Sequence, residues 1–284
     1  MADLFPRTTV GGVSLSRMII GTNWLGGWSH TGPAADEMIR KAHASHESVV
    51  PMLEAYMENG VDTLMGPVVS LAPVMEAVKR VEDKFGKKII IIDTPILNVD
   101  DSEAARKEAK AVIHRGKELG ATFSLIHHSS AEQLVNKNKG TIERLGDYTS
   151  MIREEGLIPG LSAHMPELIV YSDANGYDVE TYIQIYNCMG FLMQVEVETV
   201  NSIIWNAKKP VMTIKSMAAG RCTPFVGLNF VWNTLRDCDM VTVGAFNPSE
   251  VYEDIEFSRA ALERRLPDVG KRQSPNQNQA AFGE

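Results

Sequence analysis

The chain has 284 residues, 44% of them hydrophobic, which is enough for one sizeable core. Its 28 Lys and Arg residues and 36 Asp and Glu residues give a formal charge of −8. The sequence has no basic cluster, which argues against nucleic acid as a partner. No apolar run approaches the roughly 18 residues of a membrane span, and the first residues lack the pattern of a signal peptide. We therefore expect a cytoplasmic protein with no membrane partner.

The N-terminal part predicts a β-hairpin, a first strand and a long connection. Residues 8–16 (TTVGGVSLS) alternate apolar positions around Gly11 and Gly12, which predicts a hairpin that could close the floor of a barrel. The first strand is predicted over 18–24. The connection after it, from about residue 25 to 60, is too long for one loop and one helix. Such an enlarged βα loop at a catalytic face typically forms a lid or one wall of a site.

Seven more strand-like runs follow, separated by amphipathic helical stretches. They cover 61–66, 88–93, 122–128, 157–163, 181–187, 210–215 and 240–245. Eight βα units, with no G-x-G-x-x-G after the first strand, favour an α/β fold of the closed (β/α)₈ TIM-barrel type over an open doubly wound sheet. We predict a single barrel domain over 1–270 and a disordered tail over the polar segment 271–284.

Several stretches, in order along residues 8–262, resemble the aldo-keto reductase superfamily. They are GGVSLSRMIIGTNWLGG, NGVDT, SLIHH, GLSAH, IQIYN, PVMTIKSMAAGRCTP and VTVGAFNPSEVYEDIEFSRAAL. The resemblance implies a barrel fold with an opening hairpin and a site that binds NADP(H). It also implies which residues face the dinucleotide, namely Ser162, Gln184, Tyr186, Lys215, Gly244 and Asn247.

The family's catalytic tetrad is only half present. The family uses an aspartate, a tyrosine that protonates the carbonyl oxygen, a lysine that lowers the pKa of the tyrosine, and a histidine. Asp62 and His127 match the aspartate and the histidine, whereas Pro67 stands at the place of the tyrosine and Thr94 or Pro95 at that of the lysine. Hydride transfer builds negative charge on oxygen that a proton donor must meet, so ordinary carbonyl reduction is not expected here.

Polar residues at the predicted strand ends are the candidates for chemistry, because barrel enzymes react at that rim. As catalytic groups we predict Asp62, Asp93, His127 and His164, which would act either as general acids and bases or as ligands of a divalent metal. Asp62 and Asp93 each precede a threonine and equally fit a structural role in a turn. The predicted substrate-binding residues are Asn23, Trp24, Trp28, His30, His128, Tyr186, Asn187 and Lys215.

Three functions are compatible with these residues. The first is a non-redox isomerase, lyase or hydrolase that acts on a small polar carbonyl or carbohydrate-like substrate through Asp/His acid-base or metal-assisted chemistry. The second is an NADP(H)-dependent oxidoreductase with a rearranged proton donor. The third is a barrel that binds a metabolite without turnover. The sequence leaves the choice between metal and NADP(H), the substrate's identity and the oligomeric state open.

Overall fold

The computed structural model describes residues 4–270. Its strands, in chain order, are β1 (Arg7–Val10), β2 (Val13–Ser16), β3 (Met18–Gly21), β4 (Thr63–Gly66), β5 (Ile90–Asp93), β6 (Ala121–Ile126), β7 (Val135–Asn136), β8 (Thr141–Ile142), β9 (Ile158–Ala163), β10 (Tyr182–Ile185), β11 (Val211–Ile214) and β12 (Met240–Val243). The predicted disordered tail, 271–284, lies outside the described residues.

Eight of these strands form a closed parallel barrel in the order β3-β4-β5-β6-β9-β10-β11-β12. The last strand pairs with the first, so that Val241 of β12 lies opposite Met18 of β3 and the sheet has no free edge. Seven of the eight strands lie within the predicted runs, β6 begins one residue before its run, and the predicted (β/α)₈ barrel is confirmed.

The helices, in chain order, are α1 (Asn23–Gly26), α2 (Pro33–Ala42), α3 (His46–Glu58), α4 (Ala72–Phe85), α5 (Glu103–Glu118), α6 (His128–Ala131), α7 (Leu145–Glu154), α8 (Glu167–Asn175), α9 (Val197–Asn206), α10 (Pro224–Thr234) and α11 (Pro248–Glu263). Helices α1 to α3 fill the enlarged first connection that the sequence predicted. No helix in residues 4–270 is long and apolar enough to cross a membrane.

The predicted N-terminal hairpin is present as β1 and β2, with Val10 opposite Val13 across the turn. Val10 and Leu15 are almost completely buried and pack against side chains inside the barrel, among them Ile19 and Phe123. The hairpin therefore closes the end of the barrel where the strands begin. The opposite end, where the strands stop, is left to the βα loops.

Several helices start at the rim through side-chain caps. Ser102 accepts a hydrogen bond from the backbone of Ala105 at the start of α5, and Asn247 accepts one from Glu250 at the start of α11. Such caps satisfy amide groups that the first helical turn leaves unpaired. They also fix where each strand-to-helix loop ends, and hence which residues face the mouth of the barrel.

Candidate active site

A cavity of about 470 Å³ lies at the end of the barrel where the strands stop. The first connection supplies one wall, and the ends of the strands and the loops after them supply the rest. The polar, aromatic and basic residues that line it are Thr22, Asn23, Trp24, Trp28, Ser29, His30, Ser70, Thr94, His127, His128, Ser162, His164, Lys215, Ser216 and Thr242. Its size suits a small substrate.

Three histidines stack along one side of the cavity. The ring of His128 lies 4.2 Å from that of His127, and 3.6 Å from that of His164 in a nearly parallel arrangement of 17°. The predicted run 122–128 included both histidines, and consecutive side chains on a regular strand point to opposite faces. Strand β6 instead ends at Ile126, so His127 caps α6 and His128 begins it, and both line the cavity.

Burial keeps this histidine group neutral. Desolvation, followed by the nearby His128, lowers the pKa of His127 to about 4 and that of His164 to about 3. The Nδ1 atom of His127 accepts a hydrogen bond from the Ser129 backbone amide at 3.3 Å and lies 2.8 Å from the Ser129 hydroxyl. The neutral ring of His127 therefore carries its proton on Nε2.

Lys215 follows the end of β11 and brings an amine into the same cavity. Its backbone is left-handed, with φ +60°, which is strained for a residue with a side chain. Desolvation alone lowers the pKa of Lys215 to about 8. Its Nζ lies 3.1 Å from Nε2 of His30, and the amide of Asn23 lies 3.4 Å from the same nitrogen. Since both neighbours are donors, His30 accepts through Nε2 and is neutral.

The cavity has no acidic lining residue in the described part of the chain. The two nearby carboxylates are occupied elsewhere: Glu132 accepts hydrogen bonds from the backbone of His164 and Met165, at 2.7 and 2.9 Å, and Asp36 accepts from the Ser29 hydroxyl at 2.6 Å. With a lysine and no carboxylate, the cavity favours an anionic group or a developing negative charge.

Asp62 lies at the opposite end of the barrel, and the prediction of a rim position for it is wrong. It directly precedes β4, whose far end is Gly66, whereas the expected position was at the end of the strand. Its carboxylate accepts two hydrogen bonds from Arg7 of the hairpin, both at 2.9 Å, and forms an ion pair with Lys87 at 2.7 Å. Asp62 therefore ties the hairpin to the barrel floor.

Asp93 ends β5 as predicted but turns away from the cavity. Its Oδ1 accepts a hydrogen bond from the Val68 amide at 3.1 Å, and its Oδ2 faces Gly116 of α5, where a larger residue would collide with it. Burial raises the pKa of Asp93 to about 6. This carboxyl belongs to the packing between the barrel and its outer helices.

The predicted metal ligands consequently do not assemble. His127 and His164 share the cavity, but Asp62 is at the floor and Asp93 faces outward. No group of three or more His, Cys, Asp or Glu side chains within residues 4–270 is arranged to hold a metal ion. These residues do not fit a divalent metal.

Four predicted binding residues also lie away from the cavity lining. Gln184 is buried behind Ile183, which takes the inward position on β10 because side chains alternate along a strand. The Tyr186 hydroxyl lies 2.9 Å from that of Thr234. Asn187 accepts hydrogen bonds from the loop amides of Met189 and Phe191, and Asn247 caps α11.

The two tryptophans of the first connection do line the cavity. Trp24 packs closely over Gly244, where a Cβ would approach its ring within 3.3 Å, and makes an edge contact with Phe246 at 6.2 Å. Trp28 is 37% exposed, which leaves one side of its ring available to a ligand. Trp24 therefore holds the loop on the barrel, while Trp28 presents an apolar surface at the mouth.

Sequence reasoning missed two residues that shape the site. Ser129 orients His127, and its position directly after the two histidines, at a helix start, was a usable signal. Arg221, in the loop after β11, lies 3.4 Å from the carbonyl of His30 and stacks 3.9 Å from the ring of Phe191. Nothing in the sequence linked Arg221 to His30, which is 191 residues earlier.

The lowered pKa of His164 predicts a distinct acid sensitivity. Folded His164 resists a proton down to about pH 3, while the unfolded residue takes one near pH 6.5. The folded state therefore binds fewer protons in this window, and its stability falls as the pH decreases from 6.5 towards 3. Urea unfolding at several pH values should show that the difference in free energy of unfolding between wild type and His164→Gln decreases as the solution becomes acidic.

His114 provides the matched control for this experiment. It is an exposed histidine whose pKa is raised by a hydrogen bond with Glu155, so His114→Gln should give the opposite trend. Its contribution is present at low pH and is lost as the pH rises through the folded pKa. The same pH trend in both variants would contradict the assignment of His164 as a residue held neutral by burial.

Comparisons with known proteins add the fold relationship. No family model matches the chain, and no curated protein matches it in sequence. Among solved structures, a Pseudomonas aeruginosa protein assigned to the aldo-keto reductases is similar with a TM-score of 0.65 at 15% identity, covering 90% of this chain and 96% of its own. An aldo/keto reductase from Klebsiella pneumoniae, solved with NADP and acetate, is similar with a TM-score of 0.58 at 14% identity. The match covers 93% of this chain and 92% of the Klebsiella chain.

The orotidine 5'-monophosphate decarboxylase of Methanocaldococcus jannaschii is also similar, with a TM-score of 0.51 at 12% identity over 90% of this chain and 97% of its own. Oxidoreductases and a decarboxylase thus share this architecture, which does not by itself fix a reaction. The resemblance to aldo-keto reductases predicted from the sequence is confirmed at the level of the fold: the chain has an aldo-keto-reductase-like TIM barrel.

Proposed function

We propose that this barrel is a non-redox enzyme, an isomerase or a lyase, that moves a proton next to the carbonyl group of a small polar substrate. One observation carries the proposal. Lys215 projects a desolvated amine into a cavity that it shares with His127, His128 and His164, and the lining within residues 4–270 holds no carboxylate.

Removing a proton beside a carbonyl places negative charge on the carbonyl oxygen, which must be stabilised. His127 would donate a hydrogen bond to that oxygen from Nε2, because its ring is neutral and Nδ1 is bound to Ser129. A neutral imidazole can polarise a carbonyl in this way without becoming charged. The positive charge of Lys215 adds to the stabilisation.

Lys215 is also the best candidate for the proton transfer itself. General acids and bases work best when their pKa lies near the working pH. The pKa values of His127 and His164, about 4 and about 3, make both rings weak bases, whereas that of Lys215, about 8, lies close to neutral pH. The Asp/His scheme that the sequence suggested is thereby replaced by a Lys/His scheme.

The cavity also limits the substrate. Its volume of about 470 Å³ is that of an ordinary small-molecule site, which admits compounds of a few carbon atoms as well as larger metabolites. The basic lining favours a carboxylate or another anionic substituent, while Asn23, Ser162 and Thr242 offer partners for hydroxyl groups. Small 2-oxo acids and short hydroxy-carbonyl compounds meet both conditions.

Proton exchange in heavy water tests the proposal. The protein is incubated in D₂O with a panel of 2-oxo acids and short aldoses and ketoses, and proton NMR follows the signals next to each carbonyl. We expect at least one compound to exchange faster than in buffer alone, without NADP(H). If no compound exchanges or is converted, the non-catalytic alternative, a metabolite-binding barrel, is favoured instead.

A second candidate is an NADP(H)-dependent oxidoreductase. Ser162, Lys215 and Gly244 all line the cavity, and the aldo-keto reductase resemblance implies that these residues would face a dinucleotide. In this scheme Lys215 would replace the missing tyrosine as the proton donor to the carbonyl oxygen. Oxidation of NADPH, followed at 340 nm with the same compounds, would favour this candidate, and an unchanged signal beside active proton exchange would exclude it.

A further inference from the structure

We infer that Lys215 is a nucleophile that forms a covalent imine with the carbonyl carbon of the substrate. The inference rests on the proposed function, because it needs a carbonyl compound in the cavity. It goes further in assigning a covalent intermediate to one atom, Nζ of Lys215. This role was not expected from the sequence, which suggested Lys215 only as a binding residue.

The surroundings of Lys215 differ from those of lysines on the protein surface. Lys110 forms an ion pair with Glu154 at 2.8 Å, and Lys87 forms one with Asp62 at 2.7 Å, so each of these amines has a carboxylate partner. Nζ of Lys215 instead lies 3.1 Å from Nε2 of His30, which is neutral. The described structure gives this amine no acidic partner, and its position in the cavity leaves it accessible to a small molecule.

The titratable groups that face Lys215 come from three parts of the chain, and none of them carries a negative charge. His30 belongs to the first connection, His127 and His128 follow β6, and His164 follows β9. No negative charge from these elements enters the cavity lining. Without a carboxylate partner, this amine loses its proton more easily than a surface lysine and supplies a larger fraction of neutral nucleophile.

Burial also raises the neutral fraction of this amine. With a pKa of about 8, about one Lys215 amine in ten is unprotonated at pH 7, compared with fewer than about one in a thousand for an ordinary lysine. The backbone of Lys215 in its left-handed conformation fixes the direction in which the side chain leaves the strand. A nucleophile that is both deprotonated and positioned meets the usual requirements for covalent catalysis.

The chemical step balances without any oxidant or reductant. The lone pair of Nζ forms a bond to the carbonyl carbon, the carbonyl π electrons move to the oxygen, and a proton passes from Nζ to that oxygen to give a neutral carbinolamine. The lone pair that Nζ regains then expels the hydroxyl group, which leaves as water after taking one proton from the solvent. The products are a protonated imine and water. His127, which lines the same cavity, would donate a hydrogen bond to the departing oxygen, and the iminium would withdraw electrons from the neighbouring carbon.

Reductive trapping tests this intermediate. The full-length protein is incubated with pyruvate, with glyoxylate or with glycolaldehyde in the presence of cyanoborohydride, and its intact mass and tryptic peptides are measured. We expect one adduct per chain, located on Lys215, formed at least about tenfold faster than on any surface lysine because of its larger neutral fraction. The rate should rise with pH up to about 8, where half of the Lys215 amines are neutral, and then level off.

Lys208 is the matched control, since it lies on the surface beside Asp173 and outside the cavity. Lys208→Arg should leave trapping unchanged, and Lys215→Arg should remove it. Because the wild-type peptide map locates the adduct directly, the test does not depend on how well a variant folds. Adducts spread evenly over surface lysines would overturn the inference.

The same samples separate the two proposals. Proton exchange together with an adduct on Lys215 supports both. Exchange without any trapped adduct overturns the imine and leaves the proposed function standing, with Lys215 acting only as acid, base and charge. Neither exchange nor trapping with any compound of the panel overturns both. Faster trapping with pyruvate and glyoxylate than with neutral glycolaldehyde would support an anionic substrate.

Discussion

Lys215→Met is expected to reduce proton exchange next to the substrate carbonyl by about 10³-fold, a typical loss when a group that transfers protons is removed. Methionine keeps most of the apolar stem but can neither bind a proton nor attack a carbonyl. The measurement is the NMR exchange rate in D₂O for the most active compound of the panel. The protein should remain folded, because the substitution removes a desolvated charge and leaves no unpaired ion in its place.

Two further variants distinguish the possible roles of the Lys215 amine. Lys215→Arg keeps a positive charge but supplies no amine of suitable pKa, so an equally large loss would assign the effect to proton transfer or nucleophilic attack. If Lys215→Arg retained most of the activity, charge alone would explain the role of Lys215. Lys208→Met should not change the rate, since Lys208 lies outside the cavity. A Lys215→Met protein with wild-type exchange would contradict the proposed function.

Asp62→Asn is expected to lower the free energy of unfolding by about 2 kcal/mol while leaving the exchange rate unchanged. The side chain of Asp62 is only 2% exposed and holds both Arg7 and Lys87, so its loss leaves two cations without their partner. We place the effect below that of a fully buried pair because Arg7 and Lys87 are 31% and 49% exposed. Urea unfolding measures the change in free energy of unfolding, and the NMR assay in D₂O measures the exchange rate.

The control is Glu154→Gln, which breaks the exposed ion pair with Lys110. Exposed pairs contribute little, so this variant should lose less than about 1 kcal/mol. Loss of exchange activity in a well-folded Asp62→Asn protein would contradict the position of Asp62 at the barrel floor. It would instead restore the catalytic role that the sequence resemblance implied.

The fold could be predicted from the sequence because each of its determinants is local. Eight apolar runs of β-strand length, separated by amphipathic helices, have few other stable arrangements. The hairpin could be predicted from the alternation of apolar residues around Gly11 and Gly12. The enlarged first connection could be predicted from its length. In each case the signal lies within a few consecutive residues.

The site was only partly predictable, because it depends on where each strand ends to within one or two residues. Asp62 was assigned to the wrong end of β4, although the strand itself was recognised. At His127 and His128 the strand stopped one residue before the histidines, which brought both rings into the cavity. A shift of one residue exchanges the inner and outer faces of a strand.

Burial was the other property that the sequence did not disclose. In the sequence, Lys215 is one predicted binding residue among several. Its pKa is lowered by desolvation, and no acidic residue lines the cavity in the described part of the chain. Asp93 was correctly placed at the end of β5, but Gly116, 23 positions later, leaves the space into which its carboxylate turns. Such pairings across the chain become visible only in three dimensions.

The most direct test of the account is the protonation of Lys215 itself. Protein labelled with [ε-¹³C]lysine is titrated by NMR, and the resonance that is missing in Lys215→Arg identifies the residue. We expect this one signal to titrate with a pKa near 8, well below the usual lysine value of about 10.4. If the Lys215 signal titrates together with those of the surface lysines, its amine is an ordinary cation, and the proposed chemistry is contradicted.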